Sequence, residues 1–71
     1  MSWMNHLYVI YQKLDATGCE EVKHNILKAQ IDGCNQGEIY FLVLPQLVQI
    51  KIGKAPVYEL IKGEVDSIIQ Y

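Results

Sequence analysis

Three side chains have the softness to hold a metal or carry nucleophilic chemistry: Cys19, His24 and Cys34. Zinc and thiolate chemistry need such ligands converging at fixed spacings. Here the spacing is C-x4-H-x9-C, which matches no common zinc pattern and lacks a fourth ligand unless His6 supplies one. On a helix, His24 points roughly 140° away from Cys19 at 100° per residue. That geometry opposes both joint ligation and a Cys–His catalytic pair. The chain carries no phosphate-cradling Gly-rich loop, no H-E-x-x-H and no G-x-S-x-G. Glu20 and Glu21 read as acids favoured at a helix start rather than as paired catalytic carboxylates. The expectation is therefore no metal, no cofactor and no catalysis within one chain.

Glu64 is the charge that stands out, because it falls inside the apolar stripe Val57, Leu60, Ile61, Val65 and Ile68. In a continuous helix its carboxylate points inward, and an unpaired buried charge is too costly to persist. It must then be paired, protonated or at a subunit boundary, with Lys51 or a tyrosine hydroxyl as the available partners. A break at Gly63 would instead turn Glu64 into water.

The elements that would position these groups read as follows. Ala55–Pro56 opens a last helix, with Pro at a position that helix starts accept. A second helix spans Gly18–Asp32, opened by the capping pattern Thr17-Gly18-Cys19-Glu20, faced by Val22, Ile26 and Ala29, and stopped by Gly33. Leu27 and Ile31 widen that face or form a second contact. Asn35-Gln36-Gly37 reads as a turn. Glu38–Leu44 is apolar almost throughout and reads as a buried strand, and Leu47–Ile52 alternates as a second. Pro45-Gln46 separates them by a loose loop or bend. Leu7–Tyr11 is rich in β-branched and aromatic residues and favours a strand. The competing sign is Trp3, Leu7, Ile10 and Leu14, which fit a helical stripe.

The resulting fold class is α+β, a two-layer sandwich of order β-α-β-β-α within a single small domain, residues 1–71. In element order it resembles a ferredoxin-like plait lacking its last strand, a likeness that fixes no function. The alternative is α-α-β-β-α, a helical hairpin on a β-hairpin. In the sandwich, Ile39, Phe41, Val43, Val48, Ile50 and Ile52 face the two helices. Tyr8, Ile10, Tyr40, Leu42 and Leu44 share the other sheet face, which is open. An open apolar face of this kind marks an interface. Trp3 anchors that interface or closes the end of the core.

Composition narrows the function classes. The 71 residues are 51% hydrophobic with a formal charge of −2, too apolar for disorder. All six cationic side chains are Lys, and Arg, the residue suited to bidentate phosphate and base recognition, is absent. Nucleic-acid binding is thereby disfavoured, including base stacking on the tyrosines. No apolar run reaches the roughly 20 residues of a membrane span. The first residues lack a cationic leader region, so a cytoplasmic location with reduced thiols is expected. A chain this short buries only about 60% of its unfolded surface and gains from a partner. The expected function is a non-catalytic protein-interaction or regulatory module acting as a homodimer. The alternative is a ligand-binding or catalytic oligomer with its pocket between subunits.

Overall fold

The computed structural model describes residues 3–70, and these form four helices: α1 Trp3–Thr17, α2 Glu20–Asp32, α3 Gln36–Gly53 and α4 Ala55–Ile69. No strand occurs among the described residues. Both α+β arrangements, the sandwich and the helical hairpin on a β-hairpin, are therefore overturned. The chain is a helical bundle.

Local signals explain each helix. In α1 the stripe Trp3, Leu7, Ile10 and Leu14 is buried. Its 3.6-residue period overrides the β preference of Leu7–Tyr11. Thr17 does not open α2; it is the last residue of α1, and its hydroxyl donates back to the Lys13 and Leu14 carbonyls. Gly18 follows at φ +73°, and the Cys19 and Gly18 amides donate to the Leu14 and Asp15 carbonyls. That double bond is the Schellman stop, which a left-handed glycine makes possible. α2 then starts at Cys19 without a side-chain cap, with Glu20 and Glu21 in its first turn.

The largest departure is α3, which replaces both expected strands. Asn35 Oδ1 accepts from the Glu38 amide, and Glu38 Oε1 accepts from the Cys34 amide. This reciprocal pair satisfies orphan donors at a helix start, as a capping box does. Pro45 lies inside the helix rather than between strands. Its missing N–H leaves the Phe41 carbonyl without its helical donor. Both residues are exposed, so water can serve that carbonyl. Gly33 is needed for a different reason: a Cβ there would lie 2.6 Å from Ile39 Cγ1 and 2.8 Å from the Ile39 amide nitrogen. The first turn of α3 thus crosses directly over the end of α2.

α4 carries Pro56 in its first turn and bends at Ile61 (φ −122°, ψ 16°). The bend sits two residues before Gly63, the position expected to break the helix. It brings Tyr58, before the bend, within 2.6 Å of the Asp66 carboxylate, after it. In a straight helix these residues are roughly 12 Å apart along the axis.

The helices pack in a ring: α1 on α2, α2 on α3, α3 on α4 and α4 on α1, with the diagonal backbones apart. Connections of two, three and one residue force each helix against the next in the chain. The core is wholly apolar: Trp3, Leu7, Ile10 and Leu14 from α1, Val22 and Ile26 from α2, Val43, Leu47 and Ile50 from α3, and Ile61, Val65 and Ile68 from α4. The radius of gyration is 11.0 Å, which equals the roughly 11 Å of a fully compact chain of this length.

Candidate interaction surface

The groups with chemical potential do not converge. Both cysteine thiols are free, Cys19 partly buried and Cys34 exposed. They flank α2, whose 13 residues hold its ends roughly 20 Å apart. His24 is exposed on that helix. Among the described residues no group of three His, Cys, Asp or Glu side chains is placed to hold a metal.

Glu64 is neither unpaired nor turned into water. It is partly buried and accepts from Lys13 Nζ at 2.8 Å, tying α4 to α1. Lys51, one of the expected partners, instead donates to Asp66 at 3.4 Å and lies 5.7 Å over the Tyr58 ring. The Tyr58 hydroxyl bonded to Asp66 holds that carboxyl below the usual range, assisted by Lys51. The same bond raises the Tyr58 phenol. Because the Lys13 side chain is about half exposed, the Lys13–Glu64 pair is worth little. A double-mutant cycle with Lys13→Met and Glu64→Gln is expected to give a coupling of about 0.2–1 kcal/mol. A coupling above that range would mean that Glu64 does more than tie two helices.

The expected tyrosine face does not exist, because there is no sheet to carry it. Ile10 is fully buried in the core, while Tyr8, two residues away on α1, is 64% exposed. Trp3 is buried at one end of the bundle and meets the Tyr40 ring edge-on at 5.2 Å. The Tyr40 hydroxyl donates to the Ile68 carbonyl at 2.9 Å, in the last turn of α4, where carbonyls outnumber helical donors. Trp3 and Tyr40 therefore close the core end and cap a helix. Leu42 and Leu44 lie on α3, exposed and half-buried respectively. Burial pushes the Tyr11 phenol up to about 12, and it donates to Gln30 at 2.7 Å between α1 and α2.

The depressions between the described residues are small or open. A crevice of 40 Å³ between α2 and α3, against Val22, Ile26 and Ile50, holds about one water. The larger depressions, 380 Å³ beside Trp3 and Tyr40 and 360 Å³ beside Lys28 and Asp32, are open surface grooves.

What the surface does present is the outer side of α3. At 100° per residue, Phe41, Pro45, Val48 and Ile52 fall within roughly 60° of one another. This stripe lies opposite the buried Val43, Leu47 and Ile50. Phe41 is 76% and Ile52 81% exposed. Leu42 and Leu44 flank them, and the chain carries no charge between Glu38 and Lys51. A surface helix normally turns a polar face to water. Here both faces are apolar. The sequence reading placed Phe41, Val48 and Ile52 against the helices, and so missed this surface. The signal that would have found it is the Asn35–Glu38 capping pair, which converts the alternation into helical positions. No family model, no curated protein and no solved structure matches the chain.

Proposed function

We propose that this chain is a small non-catalytic interaction module that makes its contact through the outer side of α3. The observation that carries this reading is the charge-free stripe Phe41–Pro45–Val48–Ile52 on a helix whose opposite side already fills the core. Phe41, Pro45 and Ile52 are exposed and Val48 is half-buried between them, and exposed apolar area of this kind marks contact sites in proteins that are otherwise well packed. The core itself needs nothing further: every buried side-chain polar atom among the described residues has a partner.

The test is positional. A photoreactive side chain at Val48 is expected to form a protein adduct in cells, and one at Gln12, exposed on α1, is not. Equal capture from both positions, or capture from Gln12 alone, would remove α3 as the contact face. A second reading, a pocket completed between subunits, has no cluster of polar groups on this face to support it.

A further inference from the structure

We infer that the occupant of the α3 face is a second copy of this chain, packed with its own α3 antiparallel across a two-fold axis. The inference rests on the reading of α3 as the contact face.

The stripe is symmetric about its own middle. Its residues stand at 41, 45, 48 and 52, so the intervals run four, three, four in either direction. A two-fold axis between Gln46 and Leu47 sets Phe41 against the second copy's Ile52, and Pro45 against the second copy's Val48. Self-complementarity of this kind is what a two-fold interface requires. The bulky residues lie at the ends and the smaller ones at the centre. Two such helices can therefore approach closely at the middle while each end is filled from both sides.

Charge selects the direction. Glu38 precedes the stripe and Lys54 follows it, beside Lys51, which is already paired with Asp66 of its own chain. An antiparallel pair sets the acidic end of one copy beside the basic end of the other and opposes the two helix dipoles. A parallel pair would set lysine beside lysine. The same features disfavour a membrane surface: the net charge is −2, and lysines stand at only one end of the stripe with an acid at the other, unlike the basic polar face that holds amphipathic helices on anionic lipid.

Area sets the strength. Six apolar side chains on one helix face offer roughly 500 Å² per copy, which places the pair at the low end of specific interfaces. A contact of this size suits a reversible dimer rather than an obligate one.

The experiment is sedimentation equilibrium of the wild type, of Phe41→Glu and of Ile52→Lys, each alone, and of the two variants mixed in equal amounts. The wild type is expected to reach twice its 8.2 kDa mass as concentration rises through the micromolar range. Each variant alone places two uncompensated charges in its interface and weakens association by about 100-fold or more. The mixture restores it: the heterodimer holds one native Phe41–Ile52 contact and one Glu–Lys pair. Rescue arises only if position 41 faces position 52, so a mixture that stays monomeric overturns the antiparallel arrangement. Both positions are exposed, and circular dichroism checks that the fold survives. If a charge disrupts it, the uncharged double variant Phe41→Gln with Ile52→Gln gives the same loss of dimer. A wild type that stays monomeric throughout overturns the second copy as occupant, whether the face then takes up phosphatidylcholine vesicles or a different protein, while the contact-face reading stands on its own test. A dimer indifferent to all these variants overturns both.

Discussion

Leu47→Ala is expected to lower the stability of the chain by about 2–5 kcal/mol, while Ile52→Ala changes it by no more than about 0.5 kcal/mol. The contrast follows from one helix presenting two apolar sides. Leu47 is fully buried and Ile52 is 81% exposed. Removing the Leu47 side chain leaves a cavity in the apolar core, and neighbouring side chains collapse into it only in part. A folded chain of this size has roughly 0.05–0.15 kcal/mol of stability per residue, so the loss takes a large share of the total. Ile52 has little to lose in the monomer. In a strand running Leu47–Ile52 the order reverses, because Ile52 then faces the helices and Leu47 faces away. Urea unfolding followed by circular dichroism, at a concentration low enough to keep the chain monomeric, reads both values. Equal losses at the two positions would remove the helical placement of α3.

The same pair of residues shows why part of the fold was legible in sequence and part was not. α2 and α4 announce themselves, since Val22 with Ile26, and Ile61 with Val65 and Ile68, are apolar at helical spacing and separated by polar residues. In α1 the stripe Trp3, Leu7, Ile10 and Leu14 was equally visible, and the β propensity of Leu7–Tyr11 was wrongly given more weight. Propensity is the weaker signal, because burial of a periodic face overrides it. α3 is a different case. A helix with apolar residues on two opposite sides has no single helical period to detect, so its two halves read as strands split by Pro45. The decisive information was local: Asn35 and Glu38 stand three apart, as capping residues do. The same spacing at Thr17 and Glu20 misled, because Gly18 ends α1 there before any cap for α2 can form. The candidate site inherited these errors. Tyr8, Ile10, Tyr40, Leu42 and Leu44 were joined by a sheet that does not form. Glu64 stands in the apolar stripe of α4, and its partner is Lys13, which lies beyond the segment Leu7–Tyr11 read as a strand and was not among the partners in view.

Pro45→Ala is expected to stabilise the monomer by about 1–3 kcal/mol, an outcome unusual for a change inside a regular helix. Proline in a helix interior is about 3 kcal/mol less favourable than alanine, because it supplies no amide and its ring crowds the carbonyl four residues earlier. Here that carbonyl belongs to Phe41. An alanine at position 45 restores the bond to it and frees Leu44 from the restriction that a following proline imposes. Two effects offset part of the gain. The unfolded chain regains freedom that proline removed, about 0.4–1 kcal/mol, and a carbonyl at an exposed residue can be solvated, so the restored bond adds less than its full strength. Nothing in the core is lost, because Pro45 is exposed. In a domain of 60–100 residues each kcal/mol moves Tm by about 4–8 °C, so a thermal melt resolves the change readily. A fall in Tm would show that the proline shapes α3 to fit between α2 and α4, and that its ring is part of the packing rather than a burden on the helix. A rise in Tm together with weaker self-association would instead place Pro45 where the two-fold arrangement puts it: a residue kept against the stability of the monomer because it meets Val48 of a second copy at the centre of the stripe.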